Sequence, residues 1–325
     1  MWRYVTRKLL LAIPLLLCVV TLIFVLIELS PGDAADKFFS PDTPPEVRHS
    51  IVAKYHLDDP AIVRYLALLR NLLVFDFGRS IGQERPVVDI VAEALPNTLL
   101  LSAVTLLVIY PTGIVVGTIQ AIRQNRPIDT AASVVSLALY SMPDFWLAML
   151  LQVLVAFYLR GLVDLPSSGM VDPVQYDFMT MPERVLDRAK HLVLPGIAMG
   201  LAAAGGTARY VRSSMLEIIR QDYVRTARAK GLHERTVIVR HALRNALLPV
   251  VTLMGLSVPY LFSGAVIVES VFAWPGMGRL IVQAIYTQDT PLVIGCFYIF
   301  TLLVVGGNLL ADIAYAWIDP RISFD

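Results

Sequence analysis

The sequence predicts an all-α polytopic membrane protein. Its 325 residues are 56% hydrophobic and only 16% charged, against about 25% charge in an ordinary soluble domain. Six apolar segments approach the roughly 20 residues that a spanning helix needs. Lysine and arginine gather in alternate loops, as the positive-inside rule requires of a multi-pass chain. The formal net charge of +1 offers no basic excess for nucleic acid. Cys18 and Cys296 both sit in apolar runs and read as packing residues, too few for a disulfide framework or a zinc cluster.

Leu9–Ile27 carries no charge and is the first span. A signal h-region runs about 7–15 residues to small residues at a cleavage site. This run is longer and ends in Glu28-Leu29-Ser30-Pro31, so an uncleaved first helix is expected. Residues 30–96 are too polar for lipid and too long for a simple connection; they read as a helical extracytoplasmic insertion after that helix. Thr43-Pro44-Pro45-Glu46 is a capping box with proline in the first turn, followed by Val47, Ile51 and Tyr55 at helical spacing. Asp59-Pro60 starts a second helix with Ile62, Leu66, Leu69 and Leu73 on one face. Pro86 starts a third that runs to Leu95. The insertion covers a pore mouth, docks a soluble partner, or does both. Asp76-Phe77-Gly78 spells the magnesium triplet of protein kinases, but nothing else of that set is present.

The remaining spans are Leu99–Ile122, Thr130–Leu159, Leu192–Ala208, Ala246–Val268 and Pro291–Ala311. Thirty helical residues rise about 45 Å, more than a hydrocarbon core of about 30 Å. The third span must therefore tilt, protrude or break, and Met142-Pro143-Asp144 is the expected break. Proline also interrupts other spans, at Pro14, Pro111, Pro195, Pro249 and Pro259. Gly113-Ile-Val-Val-Gly117 and Gly196-Ile-Ala-Met-Gly200 are small-xxx-small faces for close helix packing.

Two acids stand out as pore or gate candidates beside Met142 and Pro143. A carboxylate at the bilayer centre costs roughly 2.5–3.5 kcal/mol on insertion scales. Asp144 should therefore face a water-filled path, where it attracts a cationic amino group, or cap the second half of a broken helix. Glu269 lies at the end of the fifth span, within reach of water. Arg209 and Arg212 continue the fourth span and are expected to snorkel to the interface.

Basic residues place the N-terminus (Arg3, Arg7, Lys8), the Arg123–Arg126 loop and the 213–245 loop on one side, the cytoplasm, with both termini there. In that last loop, Asp222-Tyr-Val-Arg225-Thr226-Ala227-Arg228-Ala229-Lys230-Gly231 is a short basic helix stopped by glycine, and Glu234 to Ala246 is a second helical stretch. From the residues alone this is a charged elbow on the inner face, a positive-inside topology signal that touches anionic lipid.

The elbow resembles the coupling segment of ABC importer permeases, with Thr226-Ala227 and Gly231 matching the first half of the motif and Leu248-Pro249 the second. Arg225 stands where the general motif has glutamate, and the spacing from Gly231 to Pro249 is longer than in sugar-type permeases. Both departures resemble the dipeptide/oligopeptide branch, as does Arg240-His-Ala-Leu-Arg244-Asn-Ala-Leu247. Glu269-Ser-Val-Phe-Ala-Trp-Pro-Gly-Met-Gly278-Arg-Leu280 is similar to that branch's segment after the fifth span. Asp76–Ser80, Pro31-Gly32-Asp33 and Asp319-Pro320-Arg321 are similar to elements of its B-type subunit, although Ala34 replaces a common proline.

That resemblance implies the six-helix type I importer permease fold. Residues 1–97 would hold the first helix and the insertion, 98–318 the transport domain with its coupling loop at 213–245, and 319–325 a cytoplasmic tail. It implies a bacterial cytoplasmic-membrane subunit paired with a similar C-type permease, two cytoplasmic ATPases and an extracytoplasmic peptide-binding protein, all in membrane lipid. No Gly-x4-Gly-Lys-Ser/Thr loop is present, so ATP and Mg are expected on the partners and no cofactor on this chain. The resemblance further implies that Asp222, Arg225, Thr226, Ala227, Arg228, Ala229, Lys230 and Gly231 grip an ATPase. Small alanines would allow close approach, basic residues would pair with its acids, and Gly231 would keep the turn unobstructed. The cargo would be peptides, or alternatively nickel chelates, glutathione or another small solute.

Two rivals fit less well. An ion-driven secondary transporter is expected to hold mid-membrane ionisable groups on several helices, and Asp144 is one candidate. A membrane metalloprotease needs His-Glu-x-x-His, yet Val237 follows His233-Glu234 at the required position. His49, His56, His191, His233 and His241 all lie outside the apolar cores of the spans.

Overall fold

The computed structural model describes residues 2–29, 44, 46, 59–159 and 161–318. The capping box at 43–46, the first insertion helix, Pro31-Gly32-Asp33 and Asp319-Pro320-Arg321 fall outside this range in whole or in large part. The elements in chain order are α1 (Trp2–Leu29), α2 (Ala61–Leu73), α3 (Val87–Ile122), α4 (Pro127–Ser141), α5 (Asp144–Val153), α6 (Met181–Ile218), α7 (Asp222–Ala229), α8 (Leu248–Val271), α9 (Met277–Tyr286) and α10 (Thr290–Ile318). A π-turn at Leu154–Tyr158 prolongs α5, and a helical run from Glu234 to Ala246, π-wound over Val237–Leu243, leads from α7 to α8. Among the described residues there is no strand, only an isolated bridge between Arg79 and Pro86.

Four stretches are long and apolar enough to cross a membrane: Leu10–Leu29, α3, α6 and Thr290–Ala311. The α4–α5 pair makes a fifth, bent by 106°. The fifth expected span appears as the 24-residue α8. The architecture is that of a helical membrane protein, as expected, but three details differ. The helix starting after Pro86 does not stop at Leu95; it runs through Pro96 as the 36-residue α3. The fourth span is the core of a 38-residue helix, about 57 Å long, so it projects well beyond a hydrocarbon core. And of the prolines expected to interrupt spans, Pro143 alone breaks a helix; Pro14, Pro111, Pro195 and Pro259 lie inside continuous ones and Pro249 in a first turn.

The chain forms two compact units. One gathers the described residues up to Thr98 with Pro275–Leu309. Its core joins Leu72, Phe77, Val87, Ile90, Met277, Leu280 and Cys296. The connection 74–86 is held there by a buried carboxylate: Asp289 accepts from the Ser80 hydroxyl, from Gly82 N at 3.0 Å and from Leu292 N at 3.2 Å. Helix α2 packs on α1: the Tyr65 hydroxyl bonds Thr21, its ring lies 5.3 Å from that of Phe24, and Arg64 pairs with Glu28. This turns Leu68 and Leu72 to the core and leaves Ile62, Leu66 and Leu73 at 64%, 57% and 78% exposure. Of the expected apolar face of α2, Leu69 also packs against this core while the other three residues point outward.

The other unit holds Leu99–Trp274 and the described end of the chain from Leu310. Here both small-xxx-small faces pack helices closely. A Cβ at Gly113 would lie 2.6 Å from Thr207 Cβ, one at Gly117 would strike the Ala208 carbonyl, and ones at Gly196 and Gly200 would strike Val104 and Val108. Gly205 brings the Ser136 carbonyl of α4 onto α6 in the same way. Helix α8 ends in a Schellman motif, Trp274 N to Glu269 O at 2.8 Å and Ala273 N to Ser270 O at 3.4 Å. Ala273 takes the position usually given to glycine, at φ +52. Phe272 and Trp274 are buried in this unit's core, with Leu101, Ala148 and Met199.

Candidate functional site

Two places in the second unit gather the residues singled out from the sequence. The first is the elbow. Extended backbone at Gln221 precedes α7. Val224 and Ala227, three residues apart and so on one face, are buried against Val237 and Ile218. Asp222, Arg225, Thr226, Arg228, Ala229 and Lys230 face outward. Gly231 follows at φ +75 and donates to the Arg228 carbonyl at 2.9 Å, reversing the chain.

Three expectations about the elbow need correction. Ala227 does not offer its smallness to a neighbour, because it is packed against its own chain. Arg228 is already occupied: its Nη2 donates to Glu234 Oε1 at 2.8 Å and its Nε to Glu234 Oε2 at 3.2 Å. That hydrogen bond, more than charge attraction, holds the Glu234 carboxyl below its ordinary range and raises the Arg228 guanidinium. At Gly231, among the described residues beyond its two chain neighbours, no atom lies within 4 Å of where a Cβ would stand. Its need is therefore conformational within this chain, since the left-handed backbone strains β-branched and bulky residues. Arg225 remains open, 75% exposed, with its own Asp222 at 3.7 Å.

The second place is the break between α4 and α5. Proline disfavours a helical backbone in the residue before it, and Met142 is extended at ψ 135. A cavity of about 560 Å³ opens there, lined by Met142, Pro143, Asp144 and the rings of Tyr110, Tyr140 and Tyr210. The Tyr110 hydroxyl bonds that of Ser257 at 2.6 Å. Asp144 is not the N-cap, which is Pro143; it is the first residue of α5. Its charge there meets the positive end of the helix, while the residue also lines the cavity. Glu269 is apart from this cavity and fully buried, against the expectation that water reaches it.

Arg212 corrects another expectation. It does not snorkel. Its Nε and Nη2 reach the two carboxylate oxygens of Asp129, both at 2.9 Å, and Asp129 is buried. Asp129 also accepts from Asn125 N at 3.0 Å. The pair fastens the start of α4 to α6, so the Arg123–Arg126 loop and the end of α6 lie together, as the charge pattern requires. Arg209 stands 5.8 Å from the Tyr140 ring centre, a cation–π contact. His191, just before the fourth expected span, is buried on α6 beside Asp187 at 3.4 Å.

Sequence reasoning missed Asp129, Glu234, Asp289 and the three tyrosines. The ion pairs join residues far apart or across a turn, where no local periodicity marks them. Tyr110 and Tyr140 read as ordinary span residues, and Tyr210 as the residue just past one, until the break brings them around one space.

Comparison with known proteins matches residues 113–324 to the binding-protein-dependent transport system inner membrane component. The chain is similar to the oligopeptide transport system permease protein AppB of Bacillus subtilis, 38% identical over 325 residues, all of each chain. It is also similar to the dipeptide transport system permease protein DppB of Alkalihalophilus pseudofirmus, 34% identical over all of each chain.

Proposed function

This chain belongs to the family of binding-protein-dependent transport system inner membrane components, and on that premise we propose that it is the B-type permease of an ATP-driven peptide importer, with α7 as its lever. The relatives named for oligopeptide and dipeptide transport support peptides as cargo. The elbow faces the cytosol, with both termini on that side of the cytoplasmic membrane. Each of two ATPases, which carry ATP and Mg, engages one permease of a B-type and C-type pair, and an extracytoplasmic protein delivers the peptide. Residues 98–318 form the transport domain.

The observation that carries the coupling role is the division of α7. Val224 and Ala227 tie it to Ile218 and Val237, so motion of the lever is passed to α6 and to the run entering α8. Asp222, Arg225, Thr226, Ala229 and Lys230 are left outward for the ATPase. Arg228 and Ala227 also stiffen the lever from within, Arg228 through its pair with Glu234 and Ala227 through the apolar patch. A bound nucleotide shifts the permease only if these outward contacts differ between its two states.

In the membrane, Met142, Pro143 and Asp144 border the path. Asp144 with Tyr110, Tyr140 and Tyr210 forms an acid among aromatic faces, a setting that suits a peptide's ammonium group. Glu269, enclosed by its own chain, is assigned no contact with cargo.

The test is uptake and peptide-stimulated ATP hydrolysis by the reconstituted transporter. Gly231→Trp should lower both by at least about ten-fold, a barrier change of about 1.4 kcal/mol, with membrane insertion intact. Gly231→Asn, which tolerates a left-handed backbone, should retain most activity. Normal uptake by well-expressed Gly231→Trp would remove the coupling assignment.

A further inference from the structure

At the foot of α8 a cleft of about 560 Å³ opens between the elbow and the run that enters the span. Arg240, His241 and Arg244 line its polar end. Tyr223 of α7 and Asn245 close one side, the amide donating to the phenol oxygen at 2.9 Å. Leu248 and Val251 carry the same stripe onward into α8, at a spacing of four and then three residues from Arg244. Leu248 is 50% exposed.

The charges in this cleft are unbalanced. Among the described residues, neither the two arginines nor the His241 ring has an ion-pair or side-chain hydrogen-bond partner. Arg212 and Arg228, by contrast, each hold a carboxylate of this chain. Like charges four residues apart on a helix repel one another, so Arg240 and Arg244 are held in a disfavoured arrangement. Guanidinium forks match phosphate oxygens in geometry. The stripe is cationic at one end and apolar where the membrane span begins. A phosphate joined to hydrocarbon complements both halves; a soluble anion complements one.

We propose that this cleft binds an anionic phospholipid of the cytoplasmic leaflet, its phosphate on Arg240 and Arg244 and an acyl chain along Leu248 and Val251. The proposal rests on the cytoplasmic placement of the elbow given above. Because Tyr223 belongs to the lever, the bound headgroup touches α7 and the foot of α8 at once. Lipid composition then bears directly on coupling.

The test uses the full chain in neutral detergent, titrated with phosphatidylglycerol or with phosphatidylcholine of the same acyl chains, bound lipid being counted by native mass spectrometry. Phosphatidylglycerol should be retained in preference. At roughly five-fold per charge, Arg240→Gln or Arg244→Gln alone should each weaken its retention about five-fold, and the two together roughly thirty-fold. Phosphatidylcholine retention should not change. The charge-matched Arg220→Gln/Arg235→Gln control, outside the cleft, and the charge-keeping Arg240→Lys/Arg244→Lys pair should retain most of the preference. Unchanged phosphatidylglycerol retention in the double glutamine variant would overturn the proposal. So would its displacement by equimolar glycerol 3-phosphate, which would assign the cleft to a soluble phosphate. If instead that variant kept its lipid but lost co-purifying ATPase, the arginines would belong to a protein partner and the lipid site would be rejected. The readout needs neither nucleotide nor peptide, so it stands or falls separately from the transport reading.

Discussion

Arg212 carries a permanent charge near the end of a 38-residue helix, and Asp129 gives that charge its place. The carboxylate is buried whereas the guanidinium is 30% exposed, so the two substitutions are unequal. Arg212→Gln strands a buried carboxylate and should destabilise by about 3 kcal/mol, the lower end for broken buried pairs because the guanidinium side is partly exposed. Asp129→Asn/Arg212→Gln removes both charges and should recover much of that loss. Thermal unfolding in detergent reads the difference; a double variant no more stable than Arg212→Gln would show that the pair contributes no such penalty. Neither residue is conspicuous in the sequence, where they stand 83 positions apart. Gly231 is the opposite case: its stop signal was legible, but its reason was not. Only the structure separates a clash, which it does not have within this chain, from a left-handed backbone, which it does.

Helix α7 has eight residues, too few for stability alone. Three contacts hold it: the apolar patch of Val224 and Ala227, the Asn245 amide on the Tyr223 phenol, and the Arg228–Glu234 pair across the Gly231 turn. Glu234 has its carboxyl pKa lowered by Arg228. A depressed carboxylate pKa contributes stability that is present above the unfolded value, about 4.3, and is lost as pH falls through the folded value. Hydrogen exchange of residues 222–236 should therefore stay slow from neutral pH down to about 5, after correction for the intrinsic rate, and quicken below the ordinary carboxylate range. Glu234→Gln should show the faster exchange already at neutral pH. Equal protection in both proteins would assign the ordering to the apolar patch and the Tyr223–Asn245 hydrogen bond, without the ion pair. The break between α4 and α5 also belongs to this scale. Met142-Pro143 marked its place in the sequence, while the 106° bend did not follow from it, since prolines elsewhere in α1, α3, α6 and α8 leave helices continuous.

For the molecule as a whole, the proposed mechanism places the energy source in partner subunits. Uptake into membrane vesicles or reconstituted liposomes should require ATP on the cytoplasmic side and survive collapse of the proton gradient. Uptake abolished by a protonophore while ATP remains would favour ion coupling instead, with Asp144 as its first candidate. Two buried carboxylates at helix ends have definite structural duties, Asp129 to Arg212 and Asp289 to the Ser80–Gly82 connection, which leaves Asp144, at the break, as the acid that such a result would implicate.

Composition and hydropathy alone determined that this is a helical membrane protein, because lipid leaves the backbone few other ways to satisfy its hydrogen bonds. Order and spacing of short motifs determined the family, and small-xxx-small patterns determined which faces of α3 and α6 meet closely. What the tertiary structure alone decided is which charges are spent inside the chain and which remain available. Arg228 and Arg212 look as free as Arg240 and Arg244 in the sequence; they differ because a carboxylate from a distant or reversed segment reaches one pair and not the other. Helical periodicity reports neighbours within about four residues, and pairing across turns and between helices is set by packing, to which local pattern is blind.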